Sequence, residues 1–263
     1  MADPAPVRDH NFQHALNYED LRDWLAEADR LGELREVKGA SWEQEIGLAC
    51  TLMKYDENSP ALLFDDIPGV RPGFRVLANF FGGTRKNMTL GFPTHLSKVG
   101  LSEAWATAYS HDTQALIPPV DVEDGPIFEN ILLGDDVDIE QFPAPIWHDG
   151  DGGRYIGTGS YNVTRDPDTD WLNMGTYRIM VKDARTVSFN TGFGKHGRMH
   201  FDKYTERGEK TPVVMVIGGD PLAFIMGGYE VPSDISEFDV LGGLRGRPVE
   251  LVKCETVDLE VPA

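Results

Sequence analysis

Several residues in this sequence have the type and spacing to do chemistry. Asn173 and Arg178 lie five positions apart in Asn173-Met-Gly-Thr-Tyr-Arg178, inside a strand-like, largely apolar stretch. A charge among apolar neighbours must be paired, because burying a lone ion is costly. On their own, Asn173 reads as a strand or turn hydrogen-bonder and Arg178 as a salt-bridge partner for one of many acids. His196 and His200 are four apart, so on a helix they would share a face and could clasp a metal. Gly197 stands where a zinc-protease helix needs its Glu, and on spacing alone the pair reads as surface histidines in a polar loop. Gly192-Phe-Gly-Lys-His-Gly197 satisfies the dinucleotide fingerprint, with Asp220 near the place of a ribose-binding acid. Against it, residues 198–210 offer only Met199, Phe201 and Tyr204 to pack on a sheet, too few for a Rossmann helix. Glu237, in the first turn of a helix, reads by itself as a carboxylate favoured by the helix dipole.

These residues need a scaffold, and the pattern predicts one. Residues 155–164 are small, aromatic and β-branched, which suits a strand closely approached by backbone or ligand. Residues 165–170 form a polar turn around Pro167, and 171–181 return as a strand carrying Asn173 and Arg178 near its middle. A hairpin is expected over 179–189 and a strand over 212–217. Asp220 and Pro221 cap a helix through Ile225. Ser236 with Asp239 opens another helix, closed by Gly246, and 249–254 form the last clear strand. Upstream, Asn17 caps a helix with Leu21, Trp24, Leu25, Ala28 and Leu31 at helical spacing, stopped by Gly32. Ser41 with Gln44 suggests a capping box for a second helix that ends before Pro60. Short strands follow at 61–64 and 75–78, then mixed helix and loop to about residue 115. The resulting division is an arm (1–16), an α/β domain (17–117), a stiff acidic linker (118–126) and a second domain (127–263).

The whole chain narrows the partners. Its 263 residues can bury a large core, and its 41% hydrophobic and 25% charged composition is that of a soluble globular protein. A formal charge of -19 argues against nucleic acid or an anionic membrane as partner. Cys50 and Cys254, the two cysteines, make neither a disulfide framework nor a zinc pattern and fit a reduced, cytoplasmic setting. The N-terminus lacks the basic and apolar regions of a signal peptide, and no apolar run approaches membrane-spanning length.

Taken together, Pro143-Ala-Pro-Ile-Trp-His-Asp-Gly-Asp-Gly-Gly-Arg-Tyr-Ile156, Asn173-Met-Gly-Thr-Tyr-Arg178, Gly219-Asp-Pro221, Ser236-Glu237 and Val252-Lys-Cys-Glu-Thr-Val-Asp-Leu-Glu-Val-Pro-Ala263 resemble the UbiD decarboxylases. The resemblance begins near Leu21 and persists to Ala263. It implies an α+β protein: an N-terminal α/β domain followed by a split β-barrel flavin-binding domain, incomplete at its C-terminal end. It implies reversible, non-oxidative decarboxylation of an aromatic or α,β-unsaturated carboxylic acid with prenylated FMN. The same resemblance makes Asn173, His196 and Glu237 ligands of Mn2+, with K+ as a further ion. Thr176, Tyr177 and Arg178 match cofactor contacts, as do Gly192, Phe193, Gly194, Lys195, Gly197 and Arg198, although Gly and Phe stand near the His where some members have Arg and Trp. Arg178 matches the catalytic Arg that holds the substrate carboxylate. A flavin prenyltransferase as cofactor source and a homo-oligomeric full-length form are also implied. The rival readings are a non-catalytic flavin-binding fragment or subunit of a split enzyme, and a nicotinamide-dependent oxidoreductase.

In that family the proton donor and the domain that builds the dimer lie beyond the segment matching Val-Pro-Ala263. The expectation is therefore that residues 1–263 alone release no CO2 even when loaded with cofactor, since a positioned acid is worth about 10²–10⁴-fold. Robust CO2 release by this chain alone, measured with bound cofactor, would contradict it.

Overall fold

The computed structural model describes residues 14–56, 58–109 and 115–263. The arm predicted over 1–16 falls mostly outside these, but its last residues are tied down: His14 Nε2 hydrogen-bonds the Leu90 carbonyl at 3.0 Å. Helix α1 (Leu21–Arg30) is capped by Asp20, not Asn17. The Asp20 carboxylate accepts from the amides of Arg22 and Asp23 at 2.7 and 2.9 Å, and a negative charge suits the helix start better than a neutral amide. Gly32, at φ 74°, turns the chain into β1 (Leu34–Lys38), a strand the sequence pattern concealed because three of its five residues are charged.

Helix α2 (Glu45–Met53) starts four residues after the predicted Ser41 and stops well before Pro60. The Glu45 carboxylate takes the Ser41 amide at 2.7 Å while Ser41 Oγ takes that of Glu43, so a turn forms where a Ser41–Gln44 capping box was expected. Leu48 and Leu52 of this helix are exposed, while Ile46 and Gly47 face inward. Strands β2 (Ala61–Asp65) and β3 (Val76–Ala78) complete the first sheet, with β1 and β2 parallel and β2 and β3 antiparallel. Helices α3 (Arg85–Thr89) and α4 (Lys98–Ala108) follow, and the fully buried Arg85 that opens α3 donates to the carbonyls of Asn79 and Ser59 and pairs with Glu33. One guanidinium thereby satisfies three otherwise separate loops.

Within 118–126, where a linker is expected, Val120 and Asp121 join a sheet. Its β4 (Val120–Asp121) runs parallel to β11 (Glu250–Lys253), which pairs antiparallel with β12 (Glu260–Pro262). Two predicted long strands are each broken. Residues 155–164 divide into β5 (Tyr155–Gly157) and β6 (Ser160–Arg165), and 171–181 into β7 (Leu172–Gly175) and β8 (Arg178–Asp183). The breaks occur where the chain passes between two sheets. At Gly157 a Cβ would lie 2.4 Å from that of Ile179, and at Gly175 it would meet the Tyr177 ring, so neither turn admits a side chain. Strand β9 (Thr186–Asn190) closes the predicted hairpin with β8. Helix α5 (His196–Glu206), strand β10 (Val214–Ile217) and helices α6 (Pro221–Met226) and α7 (Glu237–Arg245) follow.

The strands form four three-stranded sheets, ordered β1-β2-β3, β5-β8-β9, β10-β6-β7 and β12-β11-β4. Among the described residues no ladder closes into a barrel; the architecture is mixed α/β with small sheets, and the split-barrel expectation goes beyond it. The Rossmann alternative fails here, because β9 and β10 belong to different sheets and make no parallel βαβ unit. The main core is continuous from Trp24 and Ala28 of α1 through Tyr161, Val163 and Met174 to Phe238, Leu241 and Leu251. No helix among the described residues is long and apolar enough to cross a membrane.

Helix α7 carries Gly242 and Gly243 where residues 115–117 lie against it, and the Ile117 amide bonds the Asp239 carbonyl at 3.0 Å. A Cβ on Gly243 would sit 1.8 Å from the Ala115 carbonyl oxygen. Gly243→Ala should cost about 1–3 kcal/mol in urea denaturation, as overpacking against backbone does. An unchanged midpoint would show that residues 115–117 are not held to α7.

Candidate functional site

One strand face organises the site. On β6, Tyr161 and Val163 enter the main core, while Ser160, Asn162 and Thr164 share the opposite face and are all buried. A buried polar row of this kind must find hydrogen bonds. Strand β7 supplies some: Thr164 is in register with Asn173, and Asn162 with Gly175, whose carbonyl accepts from Asn162 Nδ2 at 3.1 Å. Asn173 is buried, and its Nδ2 donates to Thr164 Oγ1 at 3.0 Å and to Tyr177 OH at 3.3 Å.

Glu237 arrives from far along the chain. The Ser236–Asp239 capping box predicted from sequence starts α7 and holds Glu237 in its first turn, only 3% exposed. One carboxylate oxygen accepts the Met174 amide at 2.8 Å; the other lies 3.8 Å from His196 Nδ1. His196 heads α5, and the next residue, Gly197, donates its amide to Tyr177 OH at 2.9 Å. Gly197 has to be glycine, since a Cβ there would lie 2.6 Å from that hydroxyl. A closed circuit results: Asn173 to Tyr177, to the start of α5, to Glu237, and back to β7 beside Asn173. Burial pushes the Tyr177 pKa up, so the phenol stays neutral at the centre of this circuit.

The histidines are not surface groups of a polar loop. Both are on α5; His196 is half-buried and His200 is 0% exposed. Trp171 meets both edge-on, with ring centroids at 4.6 and 5.1 Å. His200 Nδ1 lies 3.0 Å from Thr164 Oγ1, and its Nε2 lies 3.9 Å from the Asp166 carboxylate. Burial lowers the His200 pKa to about 4, only partly offset by Asp166. Burial opposes ionisation of Asp166 as well, yet Lys203 at 2.6 Å and the Asp168 amide hold its carboxyl below the usual range. Sequence reasoning missed Thr164, Asp166 and His200 as parts of the site. The signals were the polar alternation Ser160, Asn162, Thr164 in an otherwise strand-like run and the four-residue spacing of His196 and His200, which read by itself as a surface pair.

The other expected site residues lie apart from this circuit. Arg178 is not the buried charge that its neighbours suggested: it starts β8 with an exposed side chain that has no hydrogen bond or ion pair among the described residues. The reason is the strand break at Thr176 and Tyr177, which takes the register away from that of β7. Thr176 is exposed and its amide bonds the Gly227 carbonyl at 2.9 Å. Gly192, Phe193, Gly194 and Lys195 form an exposed loop, Phe193 being 88% accessible. Arg198 stacks over Phe193 at 4.7 Å and bonds Asp202 at 2.7 Å. A mostly apolar cavity of about 740 Å³ lies between β3, Phe142–Pro145 and the Gly218–Gly219 turn, and neither Asn173, Arg178, His196 nor Glu237 lines it.

A carboxylate, a carboxamide and an imidazole are donors that a divalent ion such as Mn2+ accepts. Glu237 accepts one backbone hydrogen bond and has no Lys or Arg nitrogen within 4 Å among the described residues, so its carboxylate has bonding capacity left for a bound ion. The donor set therefore fits a metal. It contains only two residues of the His, Cys, Asp and Glu types, and no cluster of three of those types exists among the described residues.

A family model described as the 3-octaprenyl-4-hydroxybenzoate carboxy-lyase Rift-related domain, UbiD, matches residues 119–263, and the N-terminal domain of the same carboxy-lyases matches 25–100. The chain is 33% identical over 253 residues to a pyrrole-2-carboxylic acid decarboxylase of Pseudomonas aeruginosa, covering 93% of this chain and 50% of that one. It is 30% identical over 255 residues to a phenolic acid decarboxylase of Streptomyces sp., covering 94% and 52%. Among solved structures, the closed form of vanillic acid decarboxylase from Sedimentibacter hydroxybenzoicus is similar with a TM-score of 0.86, 27% identity, and 94% and 53% coverage. The UbiD-class enzyme HmfF from Pelotomaculum thermopropionicum, in complex with FMN, gives 0.79 at 27% identity, covering 93% and 52%. The chain thus spans about half the length of the curated relatives it matches.

The His200 environment has a pH consequence. An unfolded His takes up its proton near pH 6.5, whereas the folded one resists until about 4. Between those values the unfolded state binds more protons, so stability falls as pH falls. Urea denaturation at pH 7, 6 and 5 should show this loss, and His200→Asn should flatten the slope between 6.5 and 5. An equal slope in the variant would mean that His200 is not the titrating group.

Proposed function

The chain belongs to the UbiD family, and we propose that its residues 1–263 form the cofactor- and metal-binding part of a prenylated-FMN-dependent carboxy-lyase. The proposed substrate is an aromatic or α,β-unsaturated carboxylic acid. The observation that carries the reading is the buried Glu237 carboxylate, which accepts the amide of Met174, next to Asn173 on β7, and lies 3.8 Å from His196 Nδ1 on α5. The relatives named for pyrrole-2-carboxylic and phenolic acids support the substrate class. The HmfF structures with FMN and prFMN support the cofactor. Supply of that cofactor by a flavin prenyltransferase, a cytoplasmic location and homo-oligomeric assembly belong to the same proposal.

The chemistry supplied by the bound flavin is that of an electron sink, which takes up the electron pair released when CO2 leaves. The protein binds and orients. Glu237, the Asn173 carboxamide and His196 would hold Mn2+ and, with it, the flavin phosphate, since hard divalent ions keep phosphate among their ligands. Tyr177 stiffens this arrangement by joining β7 to the start of α5. Arg178 is the residue for the substrate. Its guanidinium makes no ion pair among the described residues, so its planar fork is open to grip a carboxylate in two-point fashion. No acid within residues 1–263 is assigned the return of the proton.

Because the relatives are about twice as long, turnover is best assayed for residues 1–263 alone and for the protein extended to its relatives' length. With prenylated FMN and Mn2+ bound, the extended form should release CO2 from at least one acid in a panel of pyrrole-2-carboxylate and hydroxybenzoates. Arg178→Lys should lower kcat and kcat/KM together by about 10²-fold or more while retaining flavin and melting temperature. Wild-type turnover by that variant would remove Arg178 from its role. Flavin binding without turnover on any acid would favour the non-catalytic subunit reading.

A further inference from the structure

The hydrogen bonds beneath Asn173 are directional, and following their protons leads to a residue outside the ligand set. A carboxamide has a donor end and an acceptor end, and only the oxygen can ligate a cation. With Asn173 read as a ligand beside Glu237 and His196, which end it offers to the ion is therefore decided by what the other end meets. Asn173 Nδ2 meets two hydroxyl oxygens, those of Thr164 at 3.0 Å and Tyr177 at 3.3 Å. Tyr177 OH accepts the Gly197 amide and still has both a lone pair and a proton to offer, so it can meet either end of the carboxamide and Thr164 decides the direction. Thr164 has one proton to give. Once its oxygen accepts from Asn173, that proton goes to the other neighbour, His200 Nδ1 at 3.0 Å. His200 must then be neutral, with its own proton on Nε2. The surroundings favour that tautomer: Nε2 is buried without a hydrogen-bond partner, and its nearest ion is the Asp166 carboxylate at 3.9 Å, held in place by Lys203.

The opposite tautomer reverses the chain. With the proton on Nδ1, His200 donates to Thr164, and Thr164 turns its hydroxyl toward Asn173. The carboxamide is then stable only when flipped, with its NH2 directed at Glu237 and His196, where it repels a cation. We propose that His200, acting through Thr164 under the field of Asp166, is a positioning residue that keeps the Asn173 oxygen turned to the metal site. This rests on the reading of Asn173, His196 and Glu237 as metal ligands. It adds a determinant outside the ligand set, one that touches neither substrate nor cofactor.

The test uses Mn2+ titrated into the protein with FMN, followed by electron paramagnetic resonance of the free ion, together with 15N NMR of histidine-labelled protein. Thr164→Val keeps the side-chain shape and removes the hydroxyl; Thr164→Ser restores it. The expected result is a loss of Mn2+ affinity of about 10-fold or more in Thr164→Val, recovery to within about 3-fold in Thr164→Ser, and equal melting temperatures for the two. In wild type the His200 resonances should show Nδ1 unprotonated and Nε2 protonated. Equal Mn2+ affinity in Thr164→Val and wild type, or a proton on Nδ1, overturns the positioning role while leaving the ligand set standing. A wild-type protein that takes up no Mn2+ overturns the ligand set, and with it the role of His200.

Discussion

The constraint on which the rest depends is a carboxylate that water cannot reach. Glu237 is 3% exposed, and removing an ionised carboxylate from water is affordable only with close compensation. The structure provides that compensation from three directions: the first turn of α7, the Met174 amide of β7, and His196 at the head of α5. Each of these fixes an element. The register of β7 against β6 follows, since Met174 must present its amide while Asn173 reaches Thr164. So does the entry of α5, which Tyr177 ties back to the same strand through Gly197. What remains unbalanced is charge, because one backbone amide and a half-buried imidazole do not neutralise a carboxylate. Under the proposed function, a divalent cation at this point would complete the electrostatics of the fold as well as the chemistry.

The same circuit satisfies part of the polar face that β6 carries inside the protein. Ser160, Asn162 and Thr164 would be a liability in a strand that only packed, since unmet hydroxyls and amides are destabilising when buried. Here Thr164 bonds Asn173 and His200 and the Asn162 Nδ2 bonds Gly175, while Ser160 Oγ and Asn162 Oδ1 stay without a hydrogen-bond partner among the described residues. Asp166, Lys203 and Asp168 continue the network outward to the surface end of α5, so that the buried histidine is braced on both sides. Arg85 does comparable service in the N-terminal sheet, where one buried guanidinium satisfies the Asn79 and Ser59 carbonyls and pairs with Glu33.

Much of this was legible in the sequence wherever local chemistry decides structure. Ser236, Asp239 and Gly246 marked both ends of α7, Asp220-Pro221 marked the start of α6, and the β8–β9 hairpin announced itself by its turn. These signals are local, and local geometry satisfies them. The family resemblance singled out Asn173, His196 and Glu237, which spacing alone could not connect. What stayed hidden was decided by tertiary contact. The strand breaks at residues 158–159 and 176–177 depend on which sheet receives the chain next, and the exposure of Arg178 depends on that break. His200 looked like a solvated histidine because its partners, Thr164 and Asp166, lie more than thirty residues upstream. Asn17 lost the cap to Asp20 because a carboxylate three residues on could do the same work with a charge.

The central claim is that Glu237, Asn173 and His196 form one cation site. It is tested most directly by crystals grown with Mn2+ and FMN and measured at the manganese absorption edge. The account predicts an anomalous peak in coordination contact with the Glu237 carboxylate, the Asn173 oxygen and the His196 ring, with the flavin phosphate on its open side. A peak elsewhere, or flavin bound with no peak beside Glu237, would contradict it.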